Sequence, residues 1–428
     1  MKVSSWGNIE NEDHNCVFIN STRPDLSTLD RPILAYGMGR SYGDVCLNPS
    51  STLIRTESLD RYIDFDIERG ILTLESGVLL RDIQKLMIPQ GWILPVSPGS
   101  QIVTVGGAIA NDVHGKNHHV NGSFCDHLTN LVIVRTEGDV LSCNRTENSG
   151  LFYATVGGLG LTGVIVEATL QLKKVPGPWL ETETIPYYSL DEFFHLADMS
   201  ESEWEYTVSW IDCFSAAGKG VFMRSNHTSK VKNDPHKKNT LVMPFTPPMS
   251  LVNKLTLKPF NKLYFYLNSL KRGKRLMFYE DFFYPLDHIQ NWNRMYGIKG
   301  FYQYQIVVPH KDRKETISKI LSEITRSKQG SFLAVLKTFG EKEASGLLSF
   351  PMPGVTLAMD FPNLGITTLE LFNRLDAIVG SVGGRVYAAK DCRMSKEMFR
   401  IGYPLIDEFE SFRDPGISSA LSRRLLGS

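Results

Sequence analysis

The residues of this chain able to do chemistry fall into a few groups. "AYGMGRSYGD" (35–44) sets Gly37, Gly39 and Gly43 around Arg40, with Ser41 and Tyr42 between them. Glycine at that density lets a backbone pass close to a bound group, most often a phosphate. "PGSQIVTVGGAIANDVHGKNHH" holds a second pair, Gly106-Gly107, ahead of an apolar "AIA" that reads as an opening helix, and "ATVGGLGLTGVIV" holds a third cluster. The first lacks the spacing of a dinucleotide fingerprint, the residues after Asp44 read as loop and strand rather than helix, and the third runs into a strand. Three such clusters in one β-rich region point to backbone approaching one large phosphorylated ligand.

"HGKNHH" places His114 and His118 four residues apart. Gly115 and Asn117 interrupt a helix there, no Cys or carboxylate completes a ligand set, and Lys116 would repel a cation, so no metal is expected. In "YQYQ" the amides Gln303 and Gln305 share one strand face, with Tyr302 and Tyr304 on the other. Such amides are hydrogen-bonders for sugar hydroxyls, or ordinary residues of a half-exposed strand. In "AVLKTFG" Leu333, Val335 and Lys337 share a face by alternation. Lys390 in "VYAAKDCR" closes an apolar strand, and by residue type alone reads as a solvated cation beside Asp391 or as a site base.

The elements that must position these residues are legible. "YIDFDIERGILTLESGV" alternates around Arg69-Gly70 as a hairpin, and "LTNLVIVRTEGDVLSC" reads as a second. "LLRDIQKLMIPQGW" carries a helical apolar stripe ended by Gly91. "LTGVIVEATLQLKKV" is a long strand, and "KKVPGPW" after it cannot continue strand or helix, which sets a boundary near residue 178. The last third reads strand "FYQYQIVVP", helix "RKETISKILSEITRS", strands "FLAVLKTFG" and "VTLAMDFPN", helix "TTLELFNRLDAIVGSVGG" and strand "RVYAAKD", the β-α-β-β-α-β order of a ferredoxin-like unit. No internal sequence repeat is visible.

With 428 residues, 42% of them apolar and 21% charged, the chain has core for two domains. Formal net charge is zero, which speaks against a nucleic-acid partner, but the charge is unevenly placed. Residues 219–275 hold 13 Lys or Arg against one acid, leaving the rest at −12. "NKLYFYLNSLKRGKRLMFY" within that segment mixes aromatics with cations and reads as a mobile or surface-binding flap. The six cysteines are scattered, as free thiols of a reducing compartment are. There is no signal-peptide h-region and no apolar run of about 18 residues, so a cytoplasmic protein is expected, with peripheral contact at the inner membrane face left open.

Taken in order, "GMGRSYGD", "SPGS…VTVGGAIANDVHGKNHH", "FYATVGGLGLTG", "NWNRMYG", "FYQYQ" and "AAKDCR…YP" resemble the FAD-containing decaprenylphosphoryl-β-D-ribose oxidase family. These are vanillyl-alcohol-oxidase-like flavoproteins with a p-cresol methylhydroxylase type FAD domain. The resemblance implies an α+β, two-domain fold. Residues 1–178 would form the FAD domain, with the tail 391–428 returning to it, and 179–390 a substrate domain on an antiparallel sheet covered by helices.

It implies that Gly37, Met38, Gly39, Arg40, Ser41, Tyr42, Gly43 and Asp44, with Thr104, Val105, Gly106 and Gly107, cradle the cofactor's pyrophosphate. Gly99, Asn111, Asp112, His114 and Ile165 would line it, with Tyr387 reaching it from the second domain. The implied reaction oxidises C2 of a polyprenyl-phosphoryl ribofuranose to a keto sugar, and an NAD(P)H-dependent short-chain reductase then acts on the product. Lys390 and His114 match the catalytic positions, and Lys116, Gln303, Gln305, Lys337 and Tyr42 the substrate pocket. Where relatives of this class carry a histidine joined covalently to flavin, this chain has Arg40, so FAD is expected to be non-covalent. Ala358 and Thr356 stand where many members have a thiol and an amide, so the pocket wall is altered. Rival readings are a flavin oxidase of a soluble alditol or aldonolactone, and a non-catalytic protein that binds anionic lipid.

Overall fold

Strand alternation and glycine-marked turns build three principal sheets. The structure is a computed structural model and describes residues 1–9, 11–232 and 240–427, so residues 233–239 of the basic segment lie outside the described residues. Near the N-terminus, strands Asn15–Phe18, Thr52–Arg55 and Ile33–Tyr36 form a parallel sheet. Beside it lies a five-stranded antiparallel sheet containing both expected hairpins, 62–66 with 71–75 and 128–134 with 140–144. Gly70 turns the first at φ +68°, a conformation that costs other residues about 1 kcal/mol or more. Helix Leu80–Met87 buries Leu80, Ile83 and Met87 and is followed by Gly91 at φ +83°.

An eight-stranded antiparallel sheet occupies the rest, in the order 273–278, 179–187, 220–227, 206–211, 334–339, 354–362, 301–308, 385–386. Its second half is the ferredoxin-like unit expected from the sequence. Helices Arg313–Ser327 and Ile366–Ser381 cover one face and bury Ile317, Ile320, Leu371 and Leu375. The first half repeats the same β-α-β-β-α-β order, with helices Leu190–Ser200 and Lys254–Ser269. Two like units thus join edge to edge through strands 206–211 and 334–339. The repeat leaves no sequence trace because the fold asks each position only for burial or exposure, which many residues satisfy.

Two sequence-based expectations are corrected. The supposed flap is regular structure: helix 254–269 opens on Asn253, whose side chain accepts from Leu255 N, and strand 273–278 is an edge of the large sheet. The final strand is only Arg385–Val386, and a 3-10 turn, Ala388–Lys390, follows it. That turn lifts Lys390 out of strand register. The C-terminal tail crosses back to the N-terminal region, where Arg424 binds Asp44 at 2.9 and 3.0 Å and the Asp414 carboxylate accepts from Thr136 N at 2.7 Å.

Candidate active site

One cavity of about 610 Å³ opens between the N-terminal glycine loops and the large sheet. That is within the size range of cofactor and small-molecule sites. Gly37 to Tyr42 form one wall. Among the described residues, none of the backbone N–H groups from Gly37 to Gly43 donates a hydrogen bond within the protein. Residues 37–42 are half-buried at the cavity wall, so these N–H groups stand open to a ligand's oxygens. The cradle has no room for side chains. A Cβ on Gly37 would sit 2.5 Å from Thr104 Oγ1, and one on Gly106 would sit 3.1 Å from the Cβ of Ser76. Thr104 caps helix Val105–Ala110 by accepting from Gly107 N at 3.1 Å. The buried Ser76 Oγ, Asn111 Oδ1 and Arg40 Nε have no partner among the described residues. Glycine backbone, open N–H groups and orphaned polar atoms along one wall fit FAD.

Gly99, Thr104, Gly106, Gly107, Asn111, His114, Lys116 and Ile165 also line the cavity, and Gln303, Gln305, Lys337, Tyr387 and Lys390 close it from the large sheet. Four residues expected at the cofactor do not line it: Gly43, Asp44, Val105 and Asp112. Gly43 is pressed on the Asp391 carbonyl, where any Cβ would clash. Asp44 faces Arg424, and Val105 is in the core against the five-stranded sheet. Asp112 is buried and accepts from Ser123 Oγ at 2.9 Å, Ser349 Oγ at 2.6 Å and Cys125 N at 3.1 Å. Arg40 lies 4.2 Å over the Trp6 ring, so it braces its loop through cation–π contact.

The reactive end is built by register. Gln303 pairs with Asp360 and Gln305 with Ala358 across adjacent strands, while Lys337 pairs with Thr356. Gln303 Nε2 donates to Asp360 Oδ1 at 2.6 Å. His114 is held from both sides, with Nε2 2.8 Å from the Gln305 amide nitrogen and Nδ1 3.2 Å from Lys337 Nζ. Both ring nitrogens are engaged, so the ring is fixed in orientation, and which nitrogen carries the proton follows the charge of Lys337. Burial, then Lys337 and Lys390, hold His114 well below the ordinary imidazole value, so it stays neutral. His118 packs on Phe339 at 4.3 Å instead of facing the cavity.

Three amines converge here. Lys390 Nζ lies 5.0 Å over the Tyr42 ring and 5.8 Å over that of Tyr387, and makes no hydrogen bond or ion pair among the described residues. Lys337 Nζ donates to the Gly115 carbonyl at 3.0 Å, and Lys116 Nζ to that of Phe282. What surface these side chains keep is cavity wall. Burial lowers Lys116 and Lys337 to about 7, Lys390 and Lys116 adding to the effect on Lys337. Burial also lowers Lys390, with the Asp360 carboxylate pulling the other way.

Asp360 is a site residue missed in the sequence. It is 1% exposed, its Oδ2 has no partner among the described residues, and burial raises its carboxyl above the usual range. Alternation in "TLAMDFP" puts it on the same face as Thr356 and Ala358, so the signal was there. Trp210 and Tyr264, 4.7 Å apart, line an apolar arm with Leu333 and Val335.

Comparison with known proteins gives the family. Residues 26–144 match the FAD binding domain family. The chain is 37% identical to decaprenylphosphoryl-beta-D-ribose oxidase of Mycolicibacterium smegmatis, over 92% of this chain and 89% of that protein. It is 30% identical to an uncharacterized protein of Streptomyces coelicolor, over 81% of this chain and all of the relative. Similarity to L-gulonolactone oxidase of Mus musculus, 29%, covers only 33% of this chain. A cradle that fits FAD, joined to an amine-lined pocket in a chain alike over nearly its whole length, places this protein in the decaprenylphosphoryl-β-D-ribose oxidase family of FAD-dependent oxidoreductases.

Proposed function

We propose that this enzyme oxidises the C2 hydroxyl of a polyprenyl-phosphoryl-β-D-ribofuranose to the 2-keto sugar. The observation that carries the reading is one cavity wall with three kinds of chemistry: amides at Gln303 and Gln305, amines at Lys116 and Lys337, and the apolar arm at Trp210 and Tyr264. Sugar hydroxyls, a phosphate and a prenyl chain need those in that combination. Similarity to the lactone oxidase is confined to a third of the chain, so it bears on the cofactor and not on the substrate pocket.

FAD, held by the loop 37–42 with Thr104, Gly106, Gly107 and Asn111, supplies the two-electron acceptor for the C2 hydride. Lys390 takes the hydroxyl proton as the C2–H bond breaks and the C2–O double bond forms. Burial favours the neutral amine that accepts the proton, and Asp360 stabilises the ammonium that results. His114, neutral and held between Lys337 and Gln305, fixes those two side chains at the cavity wall without adding charge. Lys116 and Lys337, whose affinity for protons lies near neutrality, gain charge when an anionic phosphate enters. The product keto sugar is consumed by an NAD(P)H-dependent short-chain reductase, and a prenylated substrate brings the enzyme to a membrane face.

Anaerobic mixing tests the reading. Farnesyl-phosphoryl ribose is expected to bleach the flavin absorbance, while free ribose, alditols and aldonolactones leave it yellow; bleaching by the soluble sugars alone would reverse the assignment. Because Arg40 cannot form a flavin bond, acid precipitation is expected to release the yellow colour into the supernatant. Colour staying in the pellet would mean a covalent link.

A further inference from the structure

We propose that helix 254–269 is a membrane-docking element that lays the mouth of the cavity against an anionic lipid surface. The proposal rests on the lipid-linked reading above and gives it a surface. Each of the two ferredoxin-like units has a second helix, and the two are treated differently. Helix 366–381 buries Thr368, Leu371, Phe372, Leu375 and Val379. Its counterpart 254–269 buries only Leu257 and Asn261. It lies on the cavity side of the sheet, with Tyr264 against Trp210, while helix 190–200 packs Phe193 on Phe222 of the opposite face. Trp210 and Met223 line the cavity, and Ile211 and Phe222, their strand neighbours, point away from it.

The outer side of this helix is apolar. Leu255 is 85% exposed, Leu263 56%, Tyr266 61% and Leu270, its C-cap, 65%. At about 100° per residue these four fall within an arc of roughly 80°. Lys258 and Lys262 flank one edge of that arc, and Lys254 begins the helix. Met249, 78% exposed, extends the apolar surface before the helix. From Lys254 to Arg275 the chain has seven cations and no acid. An apolar stripe bordered by lysines is the pattern of a helix lying in a lipid interface. A second copy of this chain fits less well, since an antiparallel two-fold pairing of the stripe would set lysine rows against each other. Docked this way, the helix has lipid on one side and the cavity's apolar arm on the other, so a prenylated substrate reaches the site without leaving the bilayer.

Flotation of the full-length flavin-loaded protein with vesicles tests this without any substrate. The protein is expected to float with phosphatidylglycerol-rich vesicles and to stay in the dense fraction with phosphatidylcholine alone. The triple variant Lys254→Glu, Lys258→Glu, Lys262→Glu is expected to lose at least roughly tenfold in partitioning. Leu255→Asn with Leu263→Asn should lose a similar factor, and both variants should keep the flavin spectrum and full activity on a detergent-solubilised farnesyl substrate. Wild-type protein that fails to float, or variants that float like it, would overturn the proposal. So would concentration-dependent dimerisation without lipid that Leu263→Asn abolishes, because it would make this face a contact between copies. Failure of the sugar to bleach flavin would count against the substrate reading alone.

Discussion

Lys390→Ala is expected to keep the yellow cofactor and lose turnover by about 10²- to 10⁴-fold, the range for a positioned general base. That corresponds to roughly 3 to 5 kcal/mol of barrier. Cofactor retention is expected because the loop 37–42 and Thr104, Gly106 and Gly107 present backbone to the cavity, which the substitution leaves in place, and Lys390 meets that loop through its side chain only at the Tyr42 ring. The pH profile gives the sign. Lys390 is faced by Asp360, Lys337, His114, Tyr42 and Tyr387. Burial lowers its pKa, so the neutral amine grows as pH rises and kcat should climb through the neutral to mildly alkaline range. The climb should vanish in Lys390→Ala. Single-turnover bleaching at several pH values measures both effects. Wild-type rates in the variant would remove Lys390 from the chemistry, and loss of flavin would make it structural.

Arg424→Ala is expected to cost about 3 to 5 kcal/mol of stability, the penalty for leaving buried charge uncompensated. Its guanidinium binds Asp44 at 2.9 and 3.0 Å and Asp391 at 3.2 Å, and those two residues are only 5% and 4% exposed. Arg393 reaches Asp391 at 3.3 Å but is also committed to Asp376, so it cannot take over at Asp44. Denaturant unfolding followed by tryptophan fluorescence should show the lower midpoint. Adding Asp44→Asn should restore part of it by removing one stranded charge. An unchanged midpoint would show that the tail is not held by this clasp.

The same residues show what was legible beforehand. Period-2 alternation found the Gln303–Gln305 face and the Leu333–Val335–Lys337 face, because one side of each strand is buried and register cannot slip. It would also have found Asp360, had the Thr356–Ala358 face been followed one step further. Asp44 is held off the cavity wall by a partner 380 residues away, and no local pattern encodes a pairing at that distance. Asp112 is held off the wall for a similar reason: Ser349, one of its three donors, comes from the far half of the chain.

By itself the sequence determined the strands, the glycine turns, the family and the residue types the chemistry draws on, all properties of local spacing or of long matched motifs. Tertiary structure alone decided which of those residues face one cavity. It made three lysines of ordinary type into a buried cluster with lowered proton affinity, since desolvation depends on what packs around a group and not on its neighbours in the chain. It also turned an expected flap into a helix. A crossover can return over either face of a sheet, and here the path of helix 254–269 across the cavity side leaves Leu255 and Leu263 facing out.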